Sequence, residues 1–323
     1  MTSASLKKFF PKISINSHNK IYKDILYNQL LSGIEQEDIN LLNKLQVQMN
    51  TEIGNSFFES SHIFATFYLG SYRILNSWLL SNGHNVVLIV DEDVYRTQKE
   101  YMLNTVSQLK KYTENKTVDF KILNVKDRES IFQIRKYIKG GYSLVIYLDG
   151  NSGLKKKIDF EKGFMLIELI NKKIYVKNGL DFISKFTRTS VIPVLSYRDN
   201  KETHLKFFEK IHYSDVNITK KCYEHLEKLL IKYPSQWECW LYIHKWFDRS
   251  VLTGTKNLNK SINTNLIFNS DTFIPFTRND YFFLFNRENV TAFPIPKDHY
   301  KCFVNNKIVT ENIEKYIELN VLI

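Results

Sequence analysis

The stretch IFATFYLGSYRILNSWLLSNGHNVVLIVD, residues 63–91, decides the fold class. Its two ends, 63–69 and 85–91, are β-branched and aromatic runs of strand length. Between them apolar side chains recur at helical spacing up to the breaker Asn82-Gly83. A strand, a helix and a second strand in that order call for a parallel pair joined by a right-handed crossover, the hand in which a twisted strand feeds a helix back onto its own sheet.

Working outward, the alternation continues. Helical spacing over 94–111 and 127–138 separates strands at 119–125 and 143–149. Then come the extended KKIYVK at 172–177, a helix over 179–188, a strand at 190–198 and a helix over 215–234. The expected architecture is α/β, with a central mixed, largely parallel sheet and helices on both faces. Upstream, residues 20–50 read as two short amphipathic helices broken near Gly33. Downstream, 251–264 is polar and rich in Ser, Thr and Asn and reads as a linker. Beyond it two or three strands, with turns at Arg278-Asn279-Asp280 and Arg287-Glu288-Asn289, precede two helical pieces. The expected division is therefore a helical segment 1–60, an α/β domain 61–250, the linker 251–264 and a small α+β module 265–323.

The chain has 323 residues, 43% of them hydrophobic, which is too apolar for a disordered polymer. Lys and Arg exceed Asp and Glu by 45 to 34, a formal charge of +11. Of the cations 36 are Lys, and Ala occurs three times, which points to a codon bias rather than to the clustered Arg of a nucleic-acid reader. Attraction to an acidic protein or an anionic cofactor stays open. Cys222, Cys239 and Cys302 are odd in number and far apart, so free thiols and a reducing cytoplasm are expected, without a metal site. No signal peptide or membrane-spanning segment is legible. Nor is any Gly-rich nucleotide loop, zinc pattern or serine-hydrolase elbow.

In open α/β sheets ligands bind beyond the carboxyl ends of the strands, so Tyr68 to Arg73 and Asp149 to Gly153 are the informative stretches. Arg73 could pair a carboxylate or phosphate bidentately, or bridge to Asp149 or Asp91. The run Lys155-Lys156-Lys157 could meet phosphates or simply face water. His62 and His84 precede their strands and so belong to the far end of the sheet. Trp237, Trp240 and Trp246, with Phe247, have the spacing of a buried helical stripe, with an acyl-pocket role as the other reading.

Four blocks in order resemble the lysophospholipid acyltransferase superfamily, in particular its lipid A biosynthesis (lauroyl/myristoyl) branch, over about residues 20–250. They are YLGSYRILNSWLLSNGHNVVLIVD (68–91), VIYLDGNSG (145–153), INKKIYVKNGLDFISKFTRTSVIPVL (170–195) and YPSQWECWLYIHKWF (233–247), the last matching in Pro234, Gln236 and Trp237. The resemblance implies transfer of an acyl group from an acyl carrier protein or CoA thioester to a soluble amine or hydroxyl. No cofactor would be bound, and acyl-CoA or acyl-phosphopantetheine would be the donor. The family's catalytic His, however, falls on Tyr68 and its acidic partner on Arg73. A phenol near pKa ~10 and a guanidinium near ~12.5 are poor bases at neutral pH. Either the chain is a catalytically dead homologue that binds a partner, or its acceptor needs no strong base, or the base has moved. Asp149 is then the best-placed substitute, with Tyr68 and Arg73 beside it and Gly70, Ser71, Asn151, Ser152 and Lys155 as substrate-binding candidates. The tail, NDYFFLFNRENVTAFPIPKDHYKCF and VTENIEKYIELNVLI, resembles the small PqqD-like modules that bind precursor peptides, which implies a peptide added as a strand at a sheet edge.

Overall fold

The computed structural model describes residues 1–50, 60–112, 117–150, 163–247 and 266–323. The expected linker and Asn151, Ser152 and Lys155 lie outside the described residues. Two compact units emerge, Lys23–Cys239 and a second formed by Met1–Tyr22 with Trp240–Ile323. This grouping differs from the sequence division, because the first helix, α1 (Thr2–Phe9), buries Leu6 and Phe9 within the second unit, with Phe9 against Trp240 and Phe247 at 5.1 and 5.6 Å.

The larger unit is the α/β body. Its strands are β1 (Gln46–Met49), β2 (Ile63–Thr66), β3 (Asn85–Val90), β4 (Phe120–Asn124), β5 (Tyr142–Tyr147), β6 (Phe164–Leu169), β7 (Lys172–Lys177), β8 (Val191–Asp199) and β9 (Glu202–Phe207). Seven of them form one sheet, in the order β1-β9-β8-β2-β5-β3-β4, with β6 and β7 a separate antiparallel pair. Strands β8, β2, β5, β3 and β4 run parallel, whereas β9 turns back along β8, so the sheet is mixed. β2 and β3 are parallel as expected but are not neighbours, since β5 is inserted between them. Central β2, IFAT, is buried at every position, as its unbroken apolar run requires.

Around the sheet lie α2 (Ile15–Glu35), α3 (Ile39–Leu42), α4 (Ile74–Ser81), α5 (Glu92–Tyr112), α6 (Ser130–Lys139), α7 (Gly179–Thr187) and α8 (Ile218–Lys232). The first of these runs through Gly33, two residues short of its end at Glu35, and residues 46–49 form an edge strand parallel to β9 rather than continuing a helix. Apolar residues of β2, β3, α4 and α5, among them Phe64, Leu79, Leu88 and Leu109, make one continuous core. Among the described residues no helix is long and apolar enough to cross a membrane.

The second unit holds an antiparallel sheet of β10 (Phe273–Arg278), β11 (Tyr281–Asn286) and β12 (Thr291–Pro294), with α9 (Lys297–Val304) and α10 (Ile313–Glu318). Phe273, Leu284, Phe303 and Tyr316 form its core. This is the α+β module expected, at the strand and turn positions expected.

The tryptophan-rich segment is a correction. Residues 234–245 are three short 3₁₀ turns, Pro234–Gln236, Glu238–Leu241 and Ile243–Lys245, rather than one helix. Trp237, Trp240, Trp246 and Phe247 are nonetheless all buried. Pro234 has no N–H to continue the helix before it, so the chain turns there instead.

Candidate functional site

The chain after β2 is clasped by the segment around Trp237. Leu69 and Trp237 form an antiparallel bridge, Glu238 N–H donates to Tyr68 O at 3.1 Å, and Gly70 N–H donates to Gln236 O at 3.0 Å. Gln236 in turn clamps the end of β8, accepting from Arg198 N–H at 2.8 Å and donating to Arg198 O at 2.7 Å. Gly70 has φ +57°, and a Cβ there would stand 2.7 Å from Ser196 O, so only glycine fits.

Asp149 holds this clasp from beneath. Its carboxylate is fully buried and accepts from Tyr68 N–H at 3.1 and 3.0 Å and from Trp237 Nε1–H at 2.7 Å. Burial pushes its carboxyl up to about 7, against the pull of those two donors. A base must reach its substrate's proton. The Asp149 oxygens face a backbone amide and an indole instead, so the geometry makes Asp149 an anchor of the strand-end loop. The folded state then holds its proton to higher pH than the unfolded chain, whose carboxyl titrates near ~3.9. Stability from this group is full below about pH 4 and falls as pH rises toward 7, with a ceiling of about 4 kcal/mol. Asp149→Asn cannot ionise. Four histidines that burial lowers to about 4 raise stability over the same window in both proteins. The difference in unfolding free energy between variant and parent, measured in urea from pH 4 to 7, should therefore shift in the variant's favour as pH rises; parallel profiles would show that the carboxyl does not titrate in this window.

The remaining sequence candidates separate into layers. Ser71 is buried and donates to the Glu35 carboxylate, which also receives two N–H groups of Arg198. Arg73 does not bridge to Asp149 or Asp91. Its Nε donates to Tyr72 Oη at 3.1 Å and its guanidinium lies 5.2 Å from that ring. Tyr68, Tyr72 and Tyr147 form an aromatic cluster, with Tyr68 stacked on Tyr147 at 5.1 Å and 4.8 Å from Tyr72. His62 and His84 are buried at the starts of β2 and β3, at the opposite end of the strands, and burial brings His84 down to about 4.

A cavity of about 150 Å³ opens at the carboxyl ends of β2, β3 and β5, where the topology places a ligand. Its wall is mainly apolar, from Ile89, Val90, Ile146, Leu148, Leu180 and Ile183, and its polar groups come from Tyr68, Asp91, Gly150 and Lys177. Of the sequence candidates among the described residues, Tyr68 lines it and Asp149, Gly70, Ser71 and Arg73 do not. Lys177, Asp91 and the Glu35–Arg198 pair were not singled out from sequence as site residues. Asp91 carries the signal of a strand-end carboxylate, which the sequence reading ties only to Arg73, while Lys177 is one of three lysines in KKIYVK and carries none. Among the described residues no group of three or more His, Cys, Asp or Glu side chains is arranged to hold a metal ion, and the three thiols are unpaired with one another.

No family model and no curated protein matches the chain. Among solved structures it is similar to the crystal structure of the 1-acyl-sn-glycerophosphate (LPA) acyltransferase, PlsC, from Thermotoga maritima. The identity is 12% over 71% of this chain and 86% of that one, with a TM-score of 0.35. So weak a likeness assigns no activity.

Proposed function

We propose that the chain binds a short apolar acyl-type ligand in the strand-end cavity and does not carry out acyl transfer by a histidine–carboxylate dyad. The observation that carries this reading is Tyr68. It stands where the sequence resemblance puts the catalytic His, and burial, with Asp149 nearby, pushes its phenol well above the ordinary range. A phenol held protonated donates a hydrogen bond to a bound carbonyl but does not remove a proton at neutral pH. The cavity supports a small ligand. Its volume is about 150 Å³ and its wall is mainly apolar. The excess positive charge supports an acidic partner, such as an acyl carrier protein, as the source of the ligand.

The test is to titrate the full chain with butyryl-CoA and butyryl-carrier protein, following tyrosine and tryptophan fluorescence, while assaying released thiol with amines and alcohols present. Saturable binding without thiol release above the buffer rate is expected, and Tyr68→Phe should weaken it by about tenfold, the scale of one lost hydrogen bond. Thiol release that depends on the protein and disappears in Tyr68→Phe would overturn the reading in favour of an enzyme.

A further inference from the structure

Lys177 ends β7 inside the same cavity, and its Nζ donates to Gly150 O at 3.1 Å. The Tyr68 hydroxyl stands 4.0 Å from the position a Cβ on Gly150 would take, so amine and phenol flank one residue. Asp91, which accepts Val94 N–H at 2.9 Å at the start of α5, lines the same space. A primary amine, a phenol and a carboxylate around a small apolar void form a set suited to carbonyl chemistry. We propose that Lys177 captures a small aldehyde or ketone in this cavity as an imine. This rests on the reading of the cavity as a ligand site and adds the chemical class of ligand and the atom that holds it.

The step balances without any oxidant or reductant. The Nζ lone pair forms a C–N bond to the carbonyl carbon as the C=O π pair moves to oxygen, which the Tyr68 hydroxyl steadies by a hydrogen bond. A proton passes from the nitrogen to that oxygen by way of Asp91, giving the neutral carbinolamine. The nitrogen lone pair then forms C=N as the C–O bond breaks, and the departing hydroxyl leaves as water with the remaining N–H proton, again relayed by Asp91. The sum is amine plus carbonyl compound to imine plus water. Only a neutral amine can begin it. Burial pushes the Lys177 ammonium below its ordinary range, with Lys126 acting the same way and Asp91 and Asp149 opposing.

The experiment treats the full chain with limiting butanal and cyanoborohydride at pH 7, followed by peptide mapping of all 36 lysines. A lowered amine holds more of itself neutral, so a butyl adduct should form at Lys177 ahead of the exposed lysines. Lys177→Arg, which keeps the charge and a donor for Gly150 O, should lose that adduct and keep the parent's melting temperature; Lys177→Met serves if the arginine does not fit. A second arm adds 1-butanol, which has the chain but no carbonyl, and follows the cavity tyrosines by NMR. If butanol shifts Tyr68 and Tyr147 but Lys177 is labelled no faster than other lysines, the imine is overturned and ligand binding stands. If butanol shifts nothing and Lys177 is not selected, both fall.

Discussion

Trp237→Ala should lower the unfolding free energy of the α/β unit by about 3–5 kcal/mol, the range for truncating a fully buried large aromatic side chain. The loss has two parts. One is the volume of the indole in a site that the clasp between 67–70 and 236–238 keeps from collapsing. The other is the Nε1–H bond to Asp149 at 2.7 Å, without which the buried carboxyl loses one of its two donors. Trp237→Phe separates them, because it keeps most of the apolar volume and removes only the donor. Its cost should be about 1–3 kcal/mol. Equilibrium unfolding in urea followed by far-UV circular dichroism reads both. A cost below about 1 kcal/mol for the alanine variant, the level of an ordinary surface change, would mean that Trp237 does not hold the strand-end loop.

The sheet was legible because its information is local. Residues 63–91 pass from a continuous β-branched and aromatic run to helical spacing and back within one crossover, and 119–149 do so again, so element type and order follow from the chain itself. Strand neighbours did not follow. Nothing within β2 or β3 says that β5 will lie between them, since that order depends on contacts distant in sequence. Residues 46–49 failed for a related reason. QVQM alternates polar and apolar residues, but over four positions only, and it pairs with β9 as a parallel edge.

The candidate cavity lies where topology directs the search, but its lining was not legible. Topology put the search at the ends of β2 and β5, and the cavity is there. Which side chains face it could not be read, because a residue just past a strand end can turn toward the void or beneath it. Tyr68 lines the void, while Asp149, at the end of the neighbouring strand, turns beneath the loop to Trp237, 88 positions away in sequence. Lys177 lay hidden in plain view, one lysine among 36, and acquires meaning only from the apolar walls of Ile146 and Leu180.

Glu35→Ala should cost about 3–5 kcal/mol, several times the effect of breaking an exposed ion pair, because it strands a nearly buried cation. Arg198 donates Nε–H to Glu35 Oε1 at 3.0 Å and a second N–H to Oε2, with a third to Asn28 Oδ1 at 2.7 Å, while the Ser71 hydroxyl donates to Glu35 as well. Removal of the carboxylate leaves the guanidinium with Asn28 alone and frees Ser71. Two apolar replacements together behave differently, since no unpaired charge remains. Glu35→Leu with Arg198→Met should therefore be more stable than Glu35→Ala, and the double-mutant cycle should give a coupling of about 1–3 kcal/mol. Added salt should change it little, because screening acts on exposed charges. A loss below about 1 kcal/mol that vanishes in molar salt would mark the pair as solvated and sink this account. The consequence reaches the cavity. Ser71 belongs to the loop that presents Tyr68, and Gly70 is wedged against Ser196, two residues before Arg198. Loosening the pair should thus weaken ligand binding at Tyr68 from below, without any substitution in the cavity wall.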